Sequence, residues 1–171
     1  MKKIYINEDV CTGCGLCRVN CIVEHSKSKN INKAFKKESP KPTARLRIEE
    51  RKPISFSVQC RHCDEPRCVE ACISGAMIKD EDGIVYHIEE KCVGCLSCVM
   101  VCEYGGVIID KDRDKVVKCD LCIDRDIPAC VAGCPNEALF MIEENEIKVT
   151  EKNNLTGIDG IDKMNKLLSF R

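Results

Sequence analysis

CVGCLSCVMVC, Cys92 to Cys102, sets four thiols at the spacing C-x2-C-x2-C-x3-C. Three cysteines on so tight a loop can hold three irons of a cubane 4Fe-4S cluster. The fourth follows at helical spacing and, in paired arrangements of this kind, serves a second cluster. A motif of this type therefore calls for a partner motif elsewhere in the chain.

Three partners are present: CTGCGLCRVNC with Cys11, Cys14, Cys17 and Cys21, CRHCDEPRCVEAC with Cys60, Cys63, Cys68 and Cys72, and CDLCIDRDIPACVAGC with Cys119, Cys122, Cys130 and Cys134. Together the four motifs use all 16 cysteines of the chain. Four complete sets with none left over predict four 4Fe-4S clusters, bound through sixteen thiolates. The second motif carries Asp64-Glu65-Pro66-Arg67 where the regular spacing has two residues, a longer loop that still permits cubane ligation. Structural zinc is the competing metal, but zinc ribbons draw on two separated C-x2-C pairs. Cys11 to Cys21 and Cys92 to Cys102 instead crowd three ligands into seven residues.

The composition supports this dependence on metal. At 171 residues, with no Trp, four Phe and three Tyr, the chain has little with which to build an ordinary core. Small chains need staples, and a centre bonded at four points is both a cross-link and core volume. The apoprotein is accordingly expected to be largely unfolded. A secreted disulfide scaffold would begin with a signal peptide, whereas MKKIYINEDVCTGC contains no apolar stretch before its first cysteine. No apolar run approaches the roughly 18 residues of a membrane span. A reducing, anaerobic cytoplasm is the expected location, with no membrane span.

Formal charge is −1, but it is unevenly spread: ten Lys or Arg face three Glu between Lys27 and Lys52, a net of +7 that leaves −8 elsewhere. Such a basic arm is either a solvated face or a docking surface.

Along the chain, Lys3 to Ile6 reads as a strand entering the first cysteine loop, where Gly13 and Gly15 permit tight turning. IVEHSKSKN after Cys21 reads as a brief helix. The 38 residues from Ile22 to Gln59 lack cysteine and form an insertion, with Thr43 to Ile48 and Ile54 to Val58 as a hairpin about Lys52-Pro53. Alternating patterns predict further hairpins at Met77 to Ile88, Val107 to Val117 and Leu139 to Val149. Ile158, Ile161, Met164, Leu167 and Leu168 give the tail, 151–171, the spacing of an amphipathic helix. Cysteine loop, helical turn and hairpin recur, which predicts an α+β chain with a duplicated ferredoxin-like (bacterial dicluster) fold. One four-cluster domain over 1–150 would precede the tail.

His25, His62 and His87 are read as surface residues or residues standing behind the ligands, since sixteen cysteines suffice; of the three, His62 lies inside a cysteine loop. No phosphate loop or nucleophile elbow occurs. No catalytic residue and no flavin, nucleotide, nucleic-acid or substrate site is expected.

Four cubane motifs in this order resemble the four-cluster electron-transfer subunits that accompany molybdenum or tungsten oxidoreductases, some hydrogenases and carbon monoxide dehydrogenase. The resemblance covers Ile4 to about Ala138. VEHSKSK after Cys21, QCRHCDEPRCVEAC and KCDLCIDRDIPACVAGCP are most similar to the CooF-type iron-sulfur protein of carbon monoxide dehydrogenase. It implies a relay of single electrons from that enzyme to a hydrogenase, flavoprotein or ferredoxin. The alternative is a subunit of a molybdenum or tungsten oxidoreductase, acting on an aldehyde or formate, or of a hydrogenase. Local spacing leaves open which motifs pair. The resemblance implies crossed ligation: cluster 1 on Cys11, Cys14, Cys17 and Cys134; cluster 2 on Cys119, Cys122, Cys130 and Cys21; cluster 3 on Cys60, Cys63, Cys68 and Cys102; cluster 4 on Cys92, Cys95, Cys98 and Cys72. An inner unit, about 54–110, would then be inserted between two outer halves.

Overall fold

The computed structural model describes residues 2–51 and 53–143. The described residues contain eight short strands, all in antiparallel two-stranded sheets, and five short helices. Isolated two-stranded sheets are marginal in water. Each must therefore lean on something else, and the cysteine loops are what they lean on.

Strands β2 (Leu46–Arg51) and β3 (Ile54–Gln59) pair as the expected hairpin of the insertion, with Ile48 opposite Ser57. Strands β4 (Met77–Lys79) and β5 (Val85–His87) form a second hairpin, and β6 (Val107–Asp110) with β7 (Lys115–Lys118) a third. These three follow the sequence alternation. The first arm of the fourth expected hairpin, β8 (Leu139–Glu143), has a partner that alternation did not announce: it pairs with β1 (Lys2–Ile6), so that Ile4 faces Met141 and Ile6 faces Leu139 across nearly the whole described chain. Tyr5 and Phe140, neighbours in this ladder, stack at 6.2 Å between ring centroids, a pair that favours this register. Residues 144–149, the second arm of that expected hairpin, and the tail helix at 151–171 lie outside the described residues.

Helix α1 spans Leu16–Glu24, beginning ahead of Cys21 rather than after it, and buries Cys17, Cys21 and Ile22 on one face. The others are α3 (Arg67–Glu70), α4 (Ser97–Met100) and α5 (Ala129–Ala132), each a single turn. In all four motifs the third cysteine (Cys17, Cys68, Cys98, Cys130) lies in the first turn, and the fourth comes four residues later. Positions i and i+4 share a helix face, so one turn presents both thiols to the same side. The insertion also contains an unanticipated helix, α2 (Ile31–Lys36), whose start is capped by the Asn30 side chain accepting from Lys33 N at 3.2 Å.

Two cores result. In the outer one Cys17, Cys21, Leu46, Cys130 and Leu139 are buried together, with Ile4, Ile6 and Ile48 against them. In the inner one Met77, Cys98, Val107 and Val116 are buried, with Cys68, Cys72, Cys92 and Cys102 packed around. Helices α1 and α5 of the first and fourth motifs pack together, and Asn20 Nδ2 donates to Gly133 O at 3.4 Å; α3 packs on α4. Cysteine is thus a principal core residue, and what it binds decides whether the core is filled.

The insertion is drawn in by its arginines. Arg45 pairs with Asp120 of the fourth motif, and Arg47 donates to Gly105 O beyond the third. Lys33, Lys36, Lys37 and Lys41 remain exposed. Within the stretch, Arg45 and Arg47 anchor it while these four lysines face outward.

Two glycines mark close approaches. A Cβ at Gly106 would lie 2.8 Å from Cys60 Cα, so this position carries the third motif's exit against the second motif's entry. Gly94 has φ +71, and a Cβ there would meet Asp114 O at 2.3 Å. Gly94→Ala is expected to cost the left-handed penalty of about 1–2 kcal/mol together with displacement of the β6–β7 turn. Anaerobic denaturant unfolding of the holoprotein measures this loss.

Candidate metal centres

The four cysteine loops share one backbone signature. The residue before the second cysteine has positive φ in every motif: Gly13 (66°), His62 (48°), Gly94 (71°) and Leu121 (58°). Two of these are not glycine, so the tertiary structure imposes the turn where the residue does not favour it. A left-handed residue there curls the loop so that the first two thiols converge instead of alternating.

The four loops and helical turns gather the thiols into groups drawn from different motifs. Cys11, Cys14, Cys17 and Cys134 line one cavity beside Ile6, Ile48 and Leu139. Burial pushes Cys17 up to about 11, with Cys14, Cys134 and Cys11 near enough to push the same way. Cys72, Cys92, Cys95 and Cys98 line another cavity, under Met77 and Val116. Burial raises Cys98 to about 11, reinforced by Cys72, Cys68 and Cys92. Burial likewise raises Cys63, whose thiol neighbours are Cys60 and Cys102, and Cys68, which is near both of them as well. Cys130 is pushed up to about 12 by burial and then by Cys21, Cys122 and Cys17, while Cys119, driven well up by burial, neighbours Cys130, Cys21 and Cys60.

These neighbours also order the groups. Cys17 and Cys130 connect the first-motif group to the fourth-motif group, Cys119 and Cys60 connect that to the second-motif group, and Cys68 and Cys98 connect that to the third. The two exposed cysteines, Cys14 and Cys95, belong to the first and last groups of this series. Cys119, Cys122 and Cys130 are buried.

Several thiols crowded into a buried space cannot all ionise unaided, because burial and mutual repulsion oppose it. A polynuclear iron-sulfide core supplies the missing positive charge to soft thiolate donors. The backbone is ready for charge on sulfur: Arg45 N donates to Cys21 Sγ and Ala76 N to Cys72 Sγ, both at 3.2 Å, His62 N to Cys60 Sγ at 3.2 Å, and Gly106 N to Cys102 Sγ at 3.3 Å. The donor set fits 4Fe-4S centres.

The histidines are more embedded than expected. His62 is fully buried, and its Nδ1 accepts from Val85 N at 3.0 Å. Burial, then the charge of Lys118, lowers it to about 3, so it is a neutral bracing group. His25 lies behind Cys21, with Nδ1 2.8 Å from Cys21 O and Nε2 3.1 Å from Asp120 Oδ1. Burial alone would lower it, but hydrogen bonds to Asp120 and Cys21 outweigh that and raise it to about 9. Protonated, it donates from both nitrogens. Asp120 also pairs with Arg45 and accepts from Cys122 N at 3.1 Å. His25, Asp120 and Cys122 offer atoms within 4.8 Å of one another, but these bonds occupy Asp120, and the trio reads as bracing for Cys21 and Cys122 rather than as a separate metal site.

Sequence reading singled out neither Asp120 nor Lys118. Lys118, in β7, is 2% exposed, and its Nζ donates to Cys60 Sγ at 2.7 Å. Strand alternation carried the signal, because Lys118 shares the inward face with Val116.

Comparison with known proteins gives the family. The 4Fe-4S dicluster domain family matches residues 52–144, more than half of the chain and three of its four motifs. This protein belongs to that family. Among its relatives, the electron transport protein HydN of Escherichia coli K12 is 32% identical over 163 residues, covering 86% of this chain and 91% of that protein. An iron-sulfur protein of Rhodospirillum rubrum is 32% identical over 162 residues, covering 85% and 84%. The B subunit of anaerobic dimethyl sulfoxide reductase of E. coli K12 is 34% identical over 154 residues, covering 79% and 70%. As a member of this dicluster family, the chain is a ferredoxin-like electron-transfer protein with multiple 4Fe-4S clusters. None of its described helices is long and apolar enough to cross a membrane.

Proposed function

We propose that the chain holds four 4Fe-4S clusters in crossed ligation, with the ligand sets named above as clusters 1 to 4. It relays single electrons along that series, has no substrate site of its own, and works in the reducing cytoplasm, where sixteen thiols stay free of disulfides. The observation that carries this reading is the series of thiol neighbours from Cys17 to Cys130, Cys119 to Cys60, and Cys68 to Cys98. It supports a single file with an exposed cysteine at either end, the form a relay needs. When bound, each cluster takes up and returns one electron. The protein's residues fix the spacing, keep water from the inner groups, and point amides at sulfurs where negative charge increases.

The partner we infer is carbon monoxide dehydrogenase, with a hydrogenase, flavoprotein or ferredoxin as acceptor. The QCRHCDEPRCVEAC and KCDLCIDRDIPACVAGCP motifs support it. The likeness to the B subunit of dimethyl sulfoxide reductase favours a second reading, a molybdenum or tungsten oxidoreductase partner. Mixing the anaerobic holoprotein with carbon monoxide-reduced dehydrogenase should bleach its visible absorption within turnover time. Bleaching by dithionite but not by the enzyme would remove this partner and leave the relay. Failure of both would remove the relay.

A further inference from the structure

We propose that Lys118 is a positioning residue for electron flow: its buried ammonium raises the reduction potential of the cluster on Cys60, Cys63, Cys68 and Cys102, making that cluster the electron-accepting step between the outer and inner halves. This deepens the four-cluster reading and rests on it.

Lys118 is 2% exposed, and a buried ammonium is tolerated only where opposite charge or good acceptors compensate it. Its Nζ meets Cys60 Sγ at 2.7 Å, Val85 O at 2.6 Å and Cys119 O at 3.4 Å. Three acceptors match the three donors of an ammonium, leaving nothing for a neutral amine's lone pair. Among the described residues no carboxylate is hydrogen-bonded to it or in ion-pair contact with it. The anion it faces is therefore the thiolate of Cys60.

Placement makes the charge selective. Lys118 Nζ sits on the Cys60 sulfur at 2.7 Å, and its charge also favours the ionised forms of Cys63 and Cys68. It stands at the junction where Cys119 and Cys60 are neighbours, with its ammonium on the Cys60 side and only a backbone carbonyl of Cys119 against it. A fixed positive charge in a dry site stabilises the state carrying one more negative charge. The step gains one electron from the neighbouring reduced iron-sulfur centre, makes and breaks no bond, and moves no proton. Hydrogen bonding to cluster sulfur is an established determinant of potential, and an ammonium is a stronger donor than an amide.

The test is an anaerobic EPR-monitored redox titration of the full holoprotein, comparing the natural chain with Lys118→Met, Lys118→Gln and Lys118→Arg. Gln keeps hydrogen-bond donors without charge, and Arg keeps charge. With iron per chain unchanged, one signal in the Met and Gln proteins should need a lower potential. Its ratio of reduced to oxidised form at a fixed poise should fall at least tenfold, equivalent to about 59 mV for one electron. The other signals should stay in place, and Arg should restore most of the shift. Unchanged midpoints at full iron content would overturn the proposal. So would loss of one cluster's iron from both the Met and Gln proteins, which makes the lysine structural. Cys60→Ser separates the premise: if it leaves the same signal untouched, the ligand assignment is wrong and the lysine proposal falls with it.

Discussion

Removing iron with a chelator under anaerobic, reducing conditions is expected to unfold residues 2–143, not merely bleach the protein. The physical argument is one of missing alternatives. Every sheet among the described residues has two strands, and such sheets do not persist alone. In the outer core, three of the five buried residues are Cys17, Cys21 and Cys130. Without metal these become thiols around a void, and a cavity of that kind leaves its lining without contacts. Structural zinc in small domains contributes about 10–16 kcal/mol of apparent binding energy that is also folding energy, and total stability of a domain this size is only about 5–15 kcal/mol. Far-UV circular dichroism should therefore lose most of its sheet and helix signal as iron is withdrawn. Amide exchange in β1 and β8, which close the described fold end to end, should become as fast as in an open coil. An apoprotein that keeps the holoprotein's spectrum and protected amides would show that the fold stands without its metal.

The second large effect is nonlocal. Cys21→Ser should damage the centre built mainly from Cys119, Cys122 and Cys130, nearly a hundred residues away, and leave the one on Cys11, Cys14 and Cys17 closer to intact. Cys21 lies on the buried face of α1, receives the Arg45 amide at 3.2 Å, and is near the thiols of Cys119, Cys122 and Cys130. Serine supplies a harder oxygen that suits iron-sulfur ligation less well. One cluster's share of iron should be lost or shifted in potential. Exchange protection should fall over 119–130 and persist over 11–15. The reverse pattern, with deprotection at 11–15 alone, would favour pairing within the first motif.

The sequence showed much of this design, and unevenly. Three hairpins were readable because alternation changes at a local breaker, such as Asp82-Gly83 between β4 and β5. The β1–β8 pairing was not, since an apolar alternation such as LFMIE states which face is buried but not which distant strand supplies the partner. α2 was hidden in a lysine-rich stretch of only six residues, in which Ala34 is the one buried side chain while Ile31 and Phe35 are exposed, too short a stripe to stand out. The cysteines announced the centres by spacing alone, whereas the groups behind them were quieter. His62 and His25 resemble ordinary polar residues until the fold surrounds them. Lys118 follows Val116-Val117 in β7, where the inward face passes from Val116 to a charge, and hydropathy discounts such a position. What escaped was the set of polar residues whose role depends on neighbours from another motif.

Basic residues of the insertion show the same limit. Their count suggested one basic arm, either solvated or docking, but Arg45 and Arg47 are engaged with the fourth and third motifs, so net charge overstates the free positive surface. Lys33, Lys36, Lys37 and Lys41 stay exposed.

The central claim is the identity and number of the metal centres, and anaerobic analysis of iron, acid-labile sulfide and zinc on the purified holoprotein tests it most directly. Four cubane centres predict about sixteen irons and about sixteen sulfides per chain, with negligible zinc. About four zinc ions per chain and no labile sulfide would contradict the account at its base.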